Sequence, residues 1–365
     1  MTGSSLSNGI SVDPYIQPGC FAPDAQLHGQ IVNRLNALCR RAVNAMDINL
    51  EGIKVLTEAA NGPFAVTPVI AALAGARSVT AVCRDSRWGT AENAFSLVRD
   101  LAVAAGVDSK IIFSDGPVAE VAENCDLVTN LGFVRPIDRA LISALSANAC
   151  VSLMWEPWEF RADEIDVQAL RDRNVALIAT NEQHGEVRTF DYLGPTVARL
   201  LFDSGVEIVN ARLCVLGSDP FGHDIGAWLR KSGADVERTL DASRPLPDAV
   251  IIAEHRSGET PIVVAGNAPL LMRLAHNGTV IIRLCGALDE AGLRTHGLSV
   301  YPPASVVPGT MSVTTAFAGP RPVVDLHAAG LKAGGGVIRA RMKGATISEA
   351  IQLSIDSGFG LKCEM

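Results

Sequence analysis

The stretch that decides the fold is Leu213–Gly222, with the sequence LCVLGSDPFG. An apolar run ends at Gly217, and a second glycine follows at Gly222. The apolar run predicts a buried strand, and residues 222–232 predict a helix. A further strand is predicted at Asp235–Glu237. One short stretch therefore predicts the order strand, glycine turn, helix, strand.

This order is the layout of a Rossmann dinucleotide-binding unit. Gly217 permits the tight turn, and Gly222 lets the helix approach the strand. The candidate residues for binding NAD or NADP are Gly217, Ser218, Asp219, Gly222 and Glu237. Asp219 stands where the motif has its middle glycine, so its carboxylate faces the phosphates, and Pro220 removes an amide donor. We therefore expect this loop to disfavour a nicotinamide cofactor.

The rest of the chain alternates between short apolar runs and helix-like segments. Strands are predicted at Ile53–Leu56, Ser78–Val82, Ile111–Phe113, Leu127–Val128, Val151–Leu153, Val175–Ile178, Ala249–Ala253, Val280–Ile282 and Leu298–Tyr301. Continuous apolar strands separated by helices indicate parallel sheets covered on both faces. We predict an α/β fold of two Rossmann-like, doubly wound parallel-sheet units, joined by a long helix at residues 189–204.

Four segments are expected along the chain. Residues 1–22, rich in Gly, Ser and Pro, predict a flexible N-terminal arm. An outer α/β substrate domain covers 23–190, and an inner dinucleotide-binding-type domain covers 191–325. Residues 326–365 predict a return segment that packs on the outer domain, with a strand at Val337–Met342 and a helix at Ser348–Ser357. Thr346 and Glu349 have capping-box spacing at the start of that helix.

Composition excludes several classes of protein. Hydrophobic residues make up 48% and charged residues 19%, which indicates a globular chain. The net charge of -8, without a basic tract, gives no support for nucleic-acid binding. Apolar runs such as Ala249–Ala253 are too short to span a membrane, and the N-terminus does not read as a signal peptide. The eight cysteines show no C-x-x-C spacing, so we expect buried free thiols and a cytoplasmic location.

From Ala211 to Tyr301 the chain resembles the D-isomer-specific 2-hydroxyacid dehydrogenases. After the glycine turn, the resemblance lies in Asp248–Ala253, Leu270–Asn277 and Val280–Leu293, where a glycine and an acidic pair recur. It implies an outer domain, a linking helix, an inner cofactor domain and a C-terminal return. It also implies a nicotinamide cofactor, a small polar substrate in the cleft between the domains, and a homodimer.

The sequence departs from this family at its catalytic positions. The family's substrate-binding arginine precedes the glycine that corresponds to Gly286, where this chain has Cys285; Arg283 lies two residues earlier, on the same face of the strand. The family's acid/base histidine follows the next strand, whereas Tyr301–Ala304 contains no histidine. The best local replacements are His255 and Arg256.

Polar loops also follow four strands of the outer domain, where ligands of open parallel sheets bind. Met154–Arg161 predicts a recognition wall or a packed corner. Thr180–Arg188 places His184 near Glu182 or Glu186 for acid/base work, or caps a helix. The remaining candidate catalytic residues are therefore His184 and Glu182, and the candidate substrate-binding residues are Glu58, Asn61, Arg84, Glu156 and Trp158. Capping and surface ion pairs are the alternative for Glu58, Asn61 and Arg84, and no metal site is predicted.

Two functions follow from these observations. The first is an NAD(P)-dependent oxidoreductase of the 2-hydroxyacid dehydrogenase type with altered catalytic residues. The second is a divergent relative that has lost hydride transfer. Such a relative binds a small molecule, a peptide or a protein partner, or catalyses a non-redox step. Asp219, Cys285 and Ala304 favour the second function, and the overall layout favours the first.

Overall fold

The computed structural model describes residues 25–86, 89–161, 163–256, 268–303, 306 and 310–363. Contacts divide the chain into two compact units. The first unit consists of Phe21–Tyr192 together with Gly319–Met365, and the second contains Leu193–Ala318. The expected arm at residues 1–22 lies outside the described residues.

Helices and strands alternate along both units. The strands are β1 (Lys54–Glu58), β2 (Ser78–Val82), β3 (Ile111–Ser114), β4 (Leu127–Thr129), β5 (Cys150–Ser152), β6 (Ala176–Thr180), β7 (Arg212–Leu216), β8 (Asp235–Glu237), β9 (Ala249–Ala253), β10 (Val280–Cys285), β11 (Val300–Tyr301) and β12 (Gly360–Leu361). The helices are α1 (Ala25–Ala45), α2 (Val66–Leu73), α3 (Ala91–Ala105), α4 (Val118–Val121), α5 (Arg139–Ala144), α6 (Val167–Asp172), α7 (Leu193–Asp203), α8 (Phe221–Lys231), α9 (Ala268–Asn277), α10 (Glu290–Thr295), α11 (Arg321–Met342) and α12 (Ile347–Asp356).

The first unit is built on a seven-stranded sheet in the order β12-β6-β5-β4-β1-β2-β3. The strands β1 to β6 are parallel, and only β12 runs antiparallel, against β6. The chain moves outward from β1 in one direction through β2 and β3, and then in the other direction through β4, β5 and β6. The order therefore reverses between β1 and β4, where ligands of such sheets bind beyond the carboxyl ends.

The predicted strand at Val337–Met342 was wrong, because these residues form the end of helix α11. The segment instead completes a helix of 22 residues. Within it, Val337, Ile338 and Arg341 are all buried, and these positions share one helix face. Arg341 donates to the carbonyl oxygens of Ala149 and Ala147, which accounts for a buried charge at that end.

The second helix of this segment was predicted correctly. Thr346 accepts a hydrogen bond from the Glu349 amide, and the Glu349 carboxylate accepts one from the Thr346 amide. This reciprocal capping box begins α12, as the spacing of the two residues predicts.

The second unit carries a five-stranded sheet in the order β11-β10-β9-β7-β8, and all its pairs are parallel. Its core contains Val250 and Ile252 from β9 packed with Leu274 from α9. The two sheets, each covered by helices, confirm the predicted α/β fold with two Rossmann-like units. No helix among the described residues is both long enough and apolar enough to cross a membrane.

Candidate functional site

The carboxyl edge of the first sheet collects polar side chains from four adjacent strands. Glu58 ends β1, Asn130 directly follows β4, Glu156 follows β5, and Glu182 follows β6. Because these strands are parallel, their carboxyl ends meet at one edge, and β1 and β4 flank the point where strand order reverses. The sequence predicted Glu58, Glu156 and Glu182 as site residues, and the structure places all three at this edge.

Glu58 is a buried carboxyl group at the centre of the edge. Its side chain is 6% exposed, and one oxygen accepts a hydrogen bond of 3.0 Å from the Phe133 amide. Burial raises the pKa of Glu58 to about 7, although that amide and the charge of Arg135 act in the opposite direction. Glu58 therefore holds a proton through much of the mildly acidic range.

Glu156 and Glu182 form a buried pair of carboxyl groups. The Glu156 amide donates to Glu182 Oε1 at 3.3 Å. Burial raises the pKa of Glu156. Burial, followed by the charges of Glu159 and Glu156, raises the pKa of Glu182 well above its ordinary value. Like charges in a buried site oppose one another, so ionisation of one carboxyl group of this pair disfavours ionisation of the other.

Glu159 extends this acidic group from the 3-10 helix Pro157–Glu159. The residue is half-buried. Burial raises its pKa to about 7, against the lowering effect of the Arg161 charge, and Glu156 raises it further. The carboxyl groups of residues 156, 159 and 182 therefore influence one another and form a single proton-holding cluster, hereafter the carboxyl cluster.

Two arginines flank the carboxyl cluster and share one counter-ion. Arg135 and Arg161 both bond Glu164 Oε1, and the Arg161 distance is 3.1 Å. The two guanidinium groups also lie over the Trp155 ring, at 5.2 Å and 5.6 Å from its centroid. Trp155 therefore holds two cations beside the edge of the sheet.

Several buried polar atoms at this edge have no hydrogen-bond partner among the described residues. Asn130 is fully buried, and its Oδ1 accepts from the Met154 amide at 2.8 Å, but its Nδ2 has no partner. The same is true of Glu156 Oε1 and of Trp155 Nε1. Buried polar groups in native proteins are nearly always satisfied, so these atoms at a sheet edge are candidate contacts for a ligand or an ordered water.

The other predicted residues of the first unit are placed as follows. His184 packs its ring on Phe359 at 3.9 Å between centroids, and its Nδ1 accepts from the Glu186 amide. Arg84 is exposed after β2, and Asn61 precedes a 3-10 helix with its amide nitrogen 3.0 Å from the space a Gly89 side chain would fill. The Trp158 side chain, and all of Arg87 and Trp88, lie outside the described residues.

The loop Gly217–Gly222 in the second unit is as tight as the motif predicts. A Cβ atom at Gly217 would overlap the Ala253 carbonyl group, and one at Gly222 would overlap the Gly217 carbonyl oxygen and the Arg238 guanidinium. Both positions therefore require glycine for packing of the turn. These two glycines have the spacing and roles of the first and last glycines in a dinucleotide loop.

Asp219 is exposed and paired rather than buried in the turn. Its side chain is 67% exposed, and Arg238 Nη2 lies 3.1 Å from its Oδ1. The same Arg238 nitrogen donates to the Gly217 carbonyl oxygen at 2.6 Å. The negative charge expected to repel phosphates is thus partly offset by a guanidinium placed on the turn itself.

A second carboxylate, that of Glu254, accepts hydrogen bonds from donors of the loop. The Ser218 amide and hydroxyl both donate to Glu254 Oε2, at 2.9 Å and 2.5 Å, and the Arg256 amide donates to Oε1. Burial raises the pKa of Glu254, but these bonds outweigh it and hold the pKa below its ordinary value. The glycines of the loop fit a diphosphate, whereas its donors do not while Glu254 holds Ser218.

His255 and Arg256 lie beside this loop. The His255 ring stacks on Phe221 at 4.4 Å, and Arg256 Nε is 3.3 Å from its Nε2. Burial, and then the charge of Arg256, lowers the pKa of His255, so its imidazole is neutral at neutral pH. A neutral imidazole next to the loop suits a proton acceptor, which keeps His255 and Arg256 as the candidate catalytic pair of this unit.

The other residues of the second unit that the sequence analysis named are buried or form ion pairs with residues of the same unit. Glu237 at the end of β8 forms an ion pair with Arg244. Arg283 is buried and pairs with Glu290 at 2.7 Å, and Cys285 is a buried thiol at the end of β10. Ala304 lies outside the described residues. A wide depression at the opposite, amino edge of this sheet is lined by Asp235 and Asp248, away from the ends where ligands of such sheets bind.

Sequence analysis did not single out Asn130, Arg135, Arg238 or Glu254. Asn130 and Arg135 follow β4, and Glu254 follows β9, so the rule that ligands lie beyond strand ends applied to them as well. Arg238 follows the acidic residue that ends β8, and its reach back to the turn is visible only in three dimensions.

Comparison with known proteins finds no family model and no curated protein that matches this sequence. Solved structures share its fold. A dipicolinate synthase chain from Bacillus subtilis has a TM-score of 0.52 and 12% identity, covering 81% of this chain and 99% of its own. The corresponding dipicolinate synthase chain from Bacillus halodurans has a TM-score of 0.49 and 13% identity, covering 77% of this chain and 96% of its own.

An NAD-dependent formate dehydrogenase from Staphylococcus aureus has a TM-score of 0.38 and 11% identity, covering 80% of this chain and 97% of its own. At identities this low the likeness establishes the fold and nothing finer. The fold is therefore similar to that of the dipicolinate synthase chain from Bacillus subtilis.

Proposed function

We propose that this protein is an enzyme that acts on a small polar substrate by acid–base catalysis at the carboxyl edge of its first sheet. In this proposal Glu182 exchanges the proton, Glu156 shares it, and Glu58 and Asn130 bind polar groups of the substrate. The observation that carries the proposal is the buried pair Glu156–Glu182: the Glu156 amide donates to Glu182 Oε1 at 3.3 Å, and burial raises the pKa of both carboxyl groups, as suits groups that exchange a proton. This is the non-redox function that sequence analysis placed second.

The position of the pair supports the proposal. Buried, like-charged carboxyl groups destabilise a fold, so their retention at a strand end favours function over structure. The unpartnered Asn130 Nδ2 and Glu156 Oε1 offer one donor and one acceptor at the same edge. A ligand that bonds to either atom is polar, and the small polar substrate expected from the sequence stays a prediction.

The test uses nuclear magnetic resonance in D2O to monitor a defined mixture of small polar metabolites. The measured quantity is the rate at which the protein exchanges a proton of any compound for deuterium, or converts that compound. We expect the wild-type protein to exchange or convert at least one compound. Glu182→Gln removes the exchanging proton and should lower that rate by about 100-fold or more. Glu123→Gln, an exposed carboxylate outside the cluster, is the matched control and should leave the rate unchanged. An unchanged mixture, or full activity in Glu182→Gln, would refute the proposal.

A second candidate function is NAD(P)-dependent oxidation or reduction on the second unit. The packing of Gly217 and Gly222, and the placement of Arg238 beside Asp219, favour it. The occupation of Ser218 by Glu254 opposes it. When bound, a nicotinamide cofactor would supply hydride transfer, and the residues that would hold it are those of the loop, with His255 beside it.

Thermal unfolding with NAD, NADH, NADP or NADPH at millimolar concentrations distinguishes the two functions. A ligand that binds only the native state raises the melting temperature as its concentration increases. Because Glu254 competes for Ser218, we expect Glu254→Gln to bind any such cofactor at least about tenfold more tightly than the wild type. If neither protein responds to any of the four compounds, the redox function is excluded. Glu123→Gln again serves as the control and should match the wild type.

A further inference from the structure

The edge beside the carboxyl cluster has more unbonded hydrogen-bond donors than unbonded carboxyl oxygens. Four buried donors there have no partner among the described residues: Asn130 Nδ2, Arg135 Nε, Trp155 Nε1 and Arg161 Nε. One carboxyl oxygen, Glu156 Oε1, also has no partner among them. Nitrogen donors bond to acceptor atoms, so a ligand that satisfies this edge must supply mainly acceptors.

These donors belong to one contiguous group of side chains. Asn130 Oδ1 accepts from the Met154 amide at 2.8 Å, which places this asparagine beside the residue that precedes Trp155. The guanidinium groups of Arg135 and Arg161 both lie over the Trp155 ring, at 5.2 Å and 5.6 Å from its centroid. Asn130 is fully buried, whereas the two arginine side chains are each 23% exposed. The group therefore extends from the buried sheet edge to the surface, where a small ligand can approach it.

The charge of this group favours an anion. Arg135 and Arg161 both bond to Glu164 Oε1, so two guanidinium groups share one carboxylate, and one positive charge is in excess of it. Burial raises the pKa of Glu58 to about 7, and burial likewise raises the pKa of Glu159 to about 7. Below pH 7 these two neighbouring carboxyl groups are mostly protonated, so they oppose an anion only weakly.

We propose that the ligand of this site carries an oxyanion, a carboxylate or a phosphate, which accepts hydrogen bonds from Asn130 Nδ2 and Trp155 Nε1 beside the two guanidinium groups. The inference rests on the proposed function and adds its substrate class. A carboxylate or a phosphate offers several acceptor lone pairs, which matches the donors left unbonded here. A hydroxyl group on the same ligand would donate to Glu156 Oε1 and so place the ligand next to the carboxyl cluster.

The experiment compares probes that share a 2-hydroxyethyl group and differ in their head group. The melting temperature of the full chain is measured at pH 6 against 3-hydroxypropanoate, 2-hydroxyethyl phosphate, 3-hydroxypropanamide and 2-aminoethanol. The ionic strength is held at about 0.15 M to screen general charge effects. We expect at least one of the two oxyanions to raise the melting temperature with saturation, and the amide and the amine to leave it unchanged.

Two variants test the donors that the proposal names. Trp155→Phe removes the Nε1 donor and keeps an aromatic ring under the guanidinium groups, and Asn130→Asp replaces the Nδ2 donor but keeps the acceptor for the Met154 amide. Each should weaken oxyanion binding by about tenfold or more. Arg171→Gln removes an exposed guanidinium of helix α6 in the same unit, and as the control it should bind like the wild type. The melting temperature without a probe shows whether each variant folds.

The outcomes separate this inference from the proposed function. If the amide or the amine binds as well as the oxyanions, and Trp155→Phe weakens that binding, the site is functional but its ligand is not an oxyanion, and the inference fails alone. If neither oxyanion shifts the melting temperature of the wild type, the donors are bonded by ordered water and the inference is overturned. Equal oxyanion shifts in the wild type, Trp155→Phe and Asn130→Asp would indicate binding elsewhere and also overturn it. The proton-exchange measurement on Glu182→Gln decides the proposed function independently.

Discussion

Gly222→Ala is expected to lower the free energy of unfolding of the second unit by about 3 kcal/mol. The new Cβ would overlap the Gly217 carbonyl oxygen and the end of the Arg238 side chain. The arginine can move, but the carbonyl belongs to the turn between β7 and α8 and cannot retreat unless the turn opens. Pulse proteolysis in urea, with the fragments assigned by mass to residues 193–318, measures this loss.

Gly226→Ala is the matched control for this prediction. Gly226 lies one turn later on the same helix, and the nearest atom to its Cβ position is Arg230 Nη1 at 3.5 Å. Without an overlap, alanine in a helix interior should raise stability by about 0.5–1 kcal/mol. If the two glycine-to-alanine substitutions, four residues apart, change the free energy of unfolding in opposite directions, the loss at Gly222 arises from the turn. Equal effects would contradict the tight packing described for this loop.

Glu58→Gln is expected to remove about 3 kcal/mol of pH dependence from the stability of the first unit. The pKa of Glu58 rises from 4.5 to about 7 on folding. Below pH 4.5 the group is protonated in both states and costs nothing. As pH rises through 7, the unfolded chain releases the proton first, so the native state loses stability. The glutamine variant keeps the acceptor for the Phe133 amide and lacks this loss.

Urea unfolding of both proteins from pH 4 to pH 8 measures the prediction. The stability of Glu58→Gln relative to the wild type should increase across the interval from pH 4.5 to pH 7 and level off above it. Glu123→Gln, whose carboxylate is exposed, controls for the loss of one negative charge. Curves for Glu58→Gln and the wild type that stay parallel over the whole range would show that Glu58 ionises normally.

The order of elements was predictable because glycines mark the turns of the sheets. Strand β7, helix α8 and strand β8 appear at almost the predicted residues, since Gly217 and Gly233 leave little choice of register. The helix at Val337–Met342 was not predicted from the sequence. A buried arginine there resembles the outward residue of a strand, and only its carbonyl partners, almost 200 residues earlier in the chain, reveal the helix face.

The site was predictable in part, for a physical reason. Parallel strands bring their carboxyl ends to one edge, so Glu58, Glu156 and Glu182 could be grouped from the positions of the strands. The contacts between individual side chains could not be predicted from the positions of the strands. His184 packs on Phe359, 175 residues later in the chain, and Ser218 is held by Glu254, 36 residues away. Such contacts depend on loop conformations that residue types alone do not specify.

The first unit is assembled from two separated pieces of the chain, and this sets the order in which the protein can fold on the ribosome. Val324, Ala328 and Leu331 of α11 are fully buried in its main core, and β12 completes its sheet. A nascent chain made only as far as Ala318 contains the whole second unit but lacks that helix. The second unit can therefore become native during translation, while the first unit must wait for α11 and β12 to emerge.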